Sequence, residues 1–296
     1  MTGFRLADDS GVLRIGYGRQ ELASYVYRPP EPQRESPRPY WHPVRTLAGD
    51  LVTRCRPDDH VWHKGIAWSL PNVGTENFWG GTTYRRGQGY VQLPNNGAMV
   101  HQEFTELAAT AERATVEHRL AWVAQSGATW FDEQRGFTVS LAGGGWALAF
   151  RTRFTNRTGG TIRIGSPTTE GRDNAGYGGL FWRGPEQFTG GTVHTPQATG
   201  GDELMGVRAP WLAYTGPDAT LVFVDGPGNP GHPTRWFVRA HPFAGVCPAP
   251  FFDTETPVPP GGTVALRYAV VVAGGDPGPA GAAELAAAGR TLLEQP

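Results

Sequence analysis

Methionine is scarce in this chain, with 3 among 296 residues, and cysteine scarcer, with 2. Two cysteines in so long a chain make no disulfide framework, so Cys55 and Cys247 are expected as free, reduced thiols. No apolar run of about 18 residues occurs, and no apolar segment follows Met1-Thr2-Gly3-Phe4-Arg5. Neither a membrane-spanning helix nor a secretory leader is therefore expected, and the expectation is a soluble, cytoplasmic protein. Neither charge dominates: 26 Lys and Arg face 27 Asp and Glu, for a formal net charge of −1, without a long block of one sign. Such a balance gives no reason to expect nucleic acid or an anionic membrane as partner. The glycine-rich Gly176-Tyr177-Gly178-Gly179 lacks the Lys-Ser/Thr of a phosphate loop and is followed by no helix. Oligomeric state leaves no mark on the sequence.

What is abundant is glycine (42), proline (26) and aromatic residues (11%), the composition of many strands joined by tight turns. Period-two alternation predicts strands over 99–109, 113–124, 146–155 and 263–273, the last strongly β-branched and central. Residues 12–28 read as two strands, and 210–214 with 220–225 as a pair joined through Gly216-Pro217-Asp218. Asp132-Glu133-Gln134-Arg135-Gly136 reads as the polar tip of a hairpin between 128–131 and 137–141. Prolines 29–39 predict an extended connection. Helical character is confined to the end, about 279–295, which is alanine-rich with Leu285, Leu292 and Leu293 on one side. Roughly sixteen or more strands without intervening helices predict an all-β fold, two large packed antiparallel sheets forming a β-sandwich. The strand runs cross every midpoint at which the chain might be divided, so residues 1–296 are expected to be a single β-sandwich domain with the C-terminal helix docked on it.

The chemistry concentrates in Pro57-Asp58-Asp59-His60-Val61-Trp62-His63-Lys64-Gly65, followed by Phe78-Trp79-Gly80-Gly81. On an ideal strand Asp59 and His63 share a face and His60 takes the other, yet Pro57 and Gly65 argue for a kinked loop in which both imidazoles converge. Further candidates are scattered. His101 and Glu103 share one strand face, either the floor of a cleft or a half-solvated surface. His118 sits among apolar neighbours and reads as a core or rim histidine rather than a ligand, and His42 is open between a structural and a site role. Glu170 ends a strand beside Gly171, where a carboxylate can be presented to a cleft. Asn229-Pro230-Gly231-His232-Pro233 is a stiff loop that holds an imidazole at low entropic cost. Arg235, Phe237, Arg239 and His241 then share a strand face.

Taken together, Arg38-Pro39-Tyr40-Trp41-His42-Pro43, Asp59-His60-Val61-Trp62-His63-Lys64-Gly65, Phe78-Trp79, Glu170-Gly171 and Asn229 through Arg239 resemble a bacterial family labelled PmoA-like, or "methane oxygenase PmoA". The likeness runs over roughly Pro37 to Ala273. The methane oxygenase subunit is an integral membrane protein, so that label does not transfer as a function to a chain without a span. The resemblance implies instead a supersandwich similar to galactose mutarotase, in a family associated with sugar catabolism. Where the family has His-His-Arg-Gly this chain has Trp62-His63-Lys64-Gly65, and where it has Asn-Pro-Phe-Gly this chain has Cys247-Pro248-Ala249-Pro250-Phe251.

From these residues the expected function is a carbohydrate-active enzyme acting on a sugar, glycoside or keto-sugar by epimerisation, β-elimination or C–O cleavage, an isomerase or lyase. His60, His63, His101, Glu170, His232 and Arg239 are the candidate catalytic residues, expected to converge on one open face. Asp59, Trp62, Lys64, Trp79, Asn229 and Trp236 are the candidate binding residues, with Trp62, Trp79, Trp182 and Trp236 stacking on pyranose faces. No cofactor is required by this reading; a Zn²⁺ or Mn²⁺ held by two or three of the imidazoles with Asp59 or Glu170 is the metal-dependent form. A non-catalytic sugar-binding module and a natural-product tailoring enzyme on the same scaffold are the alternatives.

Overall fold

The computed structural model describes residues 3–294. Two large antiparallel sheets face each other. The first has eight strands in the order Phe4–Asp9, Val12–Tyr17, Gln20–Val26, Tyr40–Val44, Ile66–Ser69, Gly179–Arg183, Gly245–Ala249 and Arg235–Arg239. The second has nine: Thr199–Gly200, Thr192–His194, Trp211–Thr215, Ala219–Asp225, Thr263–Gly274, Gly145–Asn156, Thr129–Ala142, Arg113–Val123 and Ala98–Ala109. The inner faces of both supply one core, in which Trp41, Trp68, Trp182 and Trp236 of the first sheet share a cluster with Trp122, Phe137, Phe150 and Tyr268 of the second. An all-β sandwich with one C-terminal helix, Gly278–Glu294, is thus the architecture. Gln295, the expected end of that helix, lies outside the described residues.

Period two decides which side chains face the core and which face outward. Along Gly179–Arg183, Leu180 and Trp182 enter the core while Phe181 joins a second cluster with Trp79, Phe237, Cys247 and Phe252 on the outer side. Along Arg235–Arg239, Trp236 and Val238 go in and Phe237 goes out. The outer face of the second sheet carries Ala147, Ala213, Val222, Val224, Ala269 and Val271, small residues that let the helix dock through Leu285, Ala286 and Leu293. At Gly289 an added Cβ would lie 3.0 Å from methyls of both Val224 and Val271, so the close approach leaves little room for a side chain.

One expectation is corrected here. Residues 129–142 are a single strand, not two strands with a polar tip. Glu133 and Arg135 point inward at period two and neutralise each other in a bidentate pair (2.8 and 2.9 Å), with Trp122 Nε1 and Thr152 Oγ1 donating to the same carboxylate. Charge that reads as a turn is tolerated inside because the carboxylate and most of the guanidinium find partners there, Arg135 Nη1 alone being left without one. Cys55 and Cys247 are unpaired. Among the described residues no helix is long and apolar enough to cross a membrane.

Candidate active site

The segment 57–65 builds the site through two consecutive turns rather than a strand. His60 N–H donates to Pro57 O (3.0 Å) and His63 N–H to His60 O (2.9 Å). These turns bring the two imidazoles onto one side, where they stack 4.6 Å apart and 9° from parallel. The base of the loop is closed by Arg56 N–H to His63 O and Gly65 N–H to Arg54 O, and it joins the first sheet through Arg183 N–H to Gly65 O. Gly65 has φ of +60°, and a Cβ there would fall 2.2 Å from Trp41 O, so the turn back into the sheet requires glycine. From below, Arg38 donates to Trp62 O (2.8 Å). The neighbouring wall is fixed by Asn77, whose side-chain oxygen accepts from the backbone N–H groups of Trp79 and Gly80 (2.8 and 2.9 Å).

These segments roof the outer face of the first sheet and leave a cavity of about 540 Å³. Its walls are largely aromatic: Trp62, Trp79, Tyr177, Phe181, Phe237 and Phe243. Its polar groups are His60, His63, Thr82, Tyr90, Arg172 and Arg239.

Behind the imidazoles lies a charged clamp. Arg183, nearly buried, donates to both oxygens of Asp59 (3.1 and 3.0 Å) and, through Nη1, lies 3.1 Å from His63 Nδ1. A guanidinium only donates, so His63 Nδ1 is the acceptor and the ring proton of the neutral imidazole sits on Nε2. Burial, reinforced by the charges of His60 and Arg183, drives the His63 pKa well below the ordinary histidine value, which keeps the ring neutral. Asp59 Oδ2 accepts from His60 Nδ1 (3.0 Å). Partial burial would raise Asp59, but the hydrogen bonds from His60 and Arg183 outweigh it and hold the carboxylate ionised below its usual range. His60 in its neutral form therefore carries its proton on Nδ1 and a lone pair on Nε2. The two stacked rings hold opposite tautomers, one offering a base and the other a donor. The Arg183 guanidinium also lies 3.8 Å from the centre of the Phe243 ring, which caps the clamp.

Of the residues singled out from the sequence, the structure brings His60, His63, Arg239, Trp62 and Trp79 to this cavity, with Asp59 directly behind. The single open face expected for all six catalytic candidates is not what the structure shows. His101 sits at the edge between the sheets, its Nδ1 3.1 Å from His118 Nδ1 and its ring edge-on to Tyr27. His232 is bound to buried Asp225 (2.7 Å), which Asn229 and the Thr234 N–H also satisfy. It opens beside the C-terminal helix, on the second sheet's side of the sandwich, because the loop crosses to that sheet's end before the chain enters 235–239. Glu170 lies in the turn after Ile162–Gly165 and does not line the cavity, whereas Arg172, two residues on, does. Lys64 is buried, its ammonium on Glu35 and 3.5 Å from Glu31. Trp182 and Trp236 are core residues whose indole N–H groups donate to Val52 O and Ala209 O. Among the described residues no three His, Cys, Asp or Glu side chains come together as a metal centre.

Sequence reasoning missed Arg183, Arg172, Tyr177, Phe181 and Phe243. For Phe181 and Arg183 a signal existed: in Gly179-Leu180-Phe181-Trp182-Arg183 they share the face opposite Leu180 and Trp182, although the glycines argued against a regular strand.

The chain belongs to the family of unknown function DUF6807, whose model matches residues 13–287. No curated protein matches it. Among solved structures it is similar to a heparan sulfate lyase HepC mutant from Pedobacter heparinus (9% identity, TM-score 0.48, 92% of this chain and 37% of that one). It is likewise similar to galactose 1-epimerase from Lactobacillus acidophilus NCFM (6%, 0.44, 93% and 99%) and to the GH36 α-galactosidase AgaB from Geobacillus stearothermophilus (14%, 0.45, 92% and 41%). The chain spans about two fifths of the length of the lyase and the galactosidase.

Proposed function

We propose that the cavity binds a sugar-like ring carrying a carbonyl group and catalyses proton transfer at the carbon beside that carbonyl, the chemistry of an isomerase or lyase. The observation that carries this reading is the stacked pair of imidazoles with Asp59 on one Nδ1 and Arg183 on the other, from which the opposed tautomers follow. His60 Nε2, with Nδ1–H anchored on Asp59, takes the proton; the C–H electron pair forms the enolate double bond and the carbonyl electrons move to oxygen. His63, kept neutral with Nε2–H as its donor, stabilises that oxyanion by hydrogen bonding. Delivery of a solvent proton to the other face, with His60 giving its own proton up to water, gives epimerisation, and loss of a group from the next carbon gives β-elimination. The aromatic walls supply stacking surfaces for a pyranose, and the volume suits one or two rings. This reading is narrower than the one expected from sequence, since Glu170, His101 and His232 take no part in it.

The test is incubation in D₂O with a panel of sugars, glycosides and their 3-keto forms, followed by ¹H NMR. The expected result is solvent deuterium at the carbon beside the carbonyl, slowed about 10²-fold or more in His60→Gln. Ligand-induced shifts without exchange or turnover for any panel member would leave a binding module in its place.

A further inference from the structure

The charge lining the cavity is one-sided. Arg172 and Arg239 stand in its wall, and among the described residues no carboxylate does. Asp59, behind the histidines, is already engaged by Arg183 and His60. Several other arginines near the sheets are neutralised: Arg56 by Glu35, Arg135 by Glu133, Arg235 by Asp253 and Arg183 by Asp59. Arg239 has no ion-pair partner among the described residues, and its guanidinium lies beside the Phe237 ring, 5.7 Å from the centroid. Arg172 is held over the Tyr90 ring at 4.8 Å and donates to the Tyr90 hydroxyl, which in turn meets Tyr177 Oη at 3.0 Å. It too lacks a carboxylate among the described residues. Two cations set over aromatic rings in one wall, without a counter-charge from the described residues, create a potential that a ligand anion satisfies.

We infer that the molecule bound here carries an anionic substituent, a carboxylate or a phosphate ester, received by Arg239 with Arg172 assisting. This deepens the reading above and rests on its assignment of the cavity as the ligand site. Arg239 is the last residue of the edge strand Arg235–Arg239, so its backbone is held by the sheet and its guanidinium lies beside Phe237. Arg172 is fixed by its tyrosine pair. The strand end and the tyrosine pair restrict where the two guanidinium groups can lie, which limits the entropy lost on binding.

The experiment is titration calorimetry of the full chain at fixed ionic strength with glucuronate, galacturonate and glucose 6-phosphate against glucose and galactose. The expected result is that at least one acidic sugar binds tenfold or more tightly than its neutral parent, and that Arg239→Ala removes most of that advantage while Arg239→Lys keeps part of it. The uronates and the phosphate ester distinguish which anion is preferred. Equal binding of acids and neutral parents, no measurable binding by any acidic sugar, or an advantage that survives in both Arg239→Ala and Arg172→Ala would overturn the inference. An acid preference without deuterium exchange would retain this site and remove the proton-transfer reading; exchange on neutral keto-sugars without any preference would do the reverse.

Discussion

The imidazoles of His60 and His63 lie face to face, 9° from parallel, yet each is tied through Nδ1 to a group of opposite character. Asp59 accepts from one, and Arg183 donates to the other. Because Arg183 also holds Asp59, a single guanidinium sets the proton positions on both rings. Changing that one side chain should therefore disturb two tautomers at once.

Arg183→Lys tests this. An ammonium cannot reproduce the planar fork that spans a carboxylate and an imidazole nitrogen. The expected outcome is loss of the fixed Nε2–H form of His63, seen as a change in imidazole ¹⁵N shifts, with stability lowered by roughly 1–3 kcal/mol. Histidine spectra indistinguishable from wild type would show that Arg183 does not set the tautomer.

Lys64 provides a second prediction. It is buried with its ammonium between Glu35 and Glu31, beneath the loop that carries both histidines. Burial pulls its pKa down, and the two carboxylates oppose that pull. Lys64→Met should leave Glu35 with Arg56 alone and Glu31 without this cation, costing about 3 kcal/mol in urea unfolding. A triple variant that also carries Glu31→Gln and Glu35→Gln should recover part of the loss. No recovery would mean that packing, rather than charge, accounts for it.

The third prediction concerns acid. Burial pushes His42 down to about 4, Arg45 adding to the effect, and drives His63 and His118 well below their usual range. The unfolded chain takes up these protons near pH 6.5 and the folded chain does not, so stability must fall as pH drops below about 6.5. Each histidine contributes a slope of ~1.4 kcal/mol per pH unit until its folded pKa is reached. Glu76, Glu117 and Asp225, raised by burial, act in the opposite sense nearer pH 4, so a variant decides the matter. Between pH 6 and 5, His118→Gln should flatten the stability profile by about that one-proton slope. An unchanged slope would contradict the buried neutral assignment.

The sequence made the sandwich legible wherever alternation was clean. The strands at 98–109, 113–123, 145–156 and 263–274 and the terminal helix agree with expectation to within a residue or two, because one buried face imposes a period on composition. The strand Phe4–Asp9 was not foreseen: it is short, at the sheet edge and mostly exposed, so no such imprint exists. The site was half legible. The cluster at 59–63 announced itself by density, and the prediction that a kink joins the histidines agrees with the two turns found there. His232 misled because an imidazole in a stiff loop looks the same whether it faces a cavity or a buried aspartate. Trp236 misled because residue type does not reveal the face of a strand: its neighbours Phe237 and Arg239 took the cavity side.

Gly80 and Gly81 lie against the Trp62 indole with φ of +105° and +68°. A Cβ on Gly80 would stand 2.6 Å from Trp62 Cβ, and one on Gly81 would stand 2.7 Å from Trp62 Cε2. The indole thus rests on bare main chain, and the gauge of the opening is set by two methyl groups that are missing. Any residue larger than glycine at position 81 must displace the ring, and because that indole also meets the His60 ring edge-on, 5.3 Å between centroids, a change in the gauge of the opening there is felt at the imidazole pair as well.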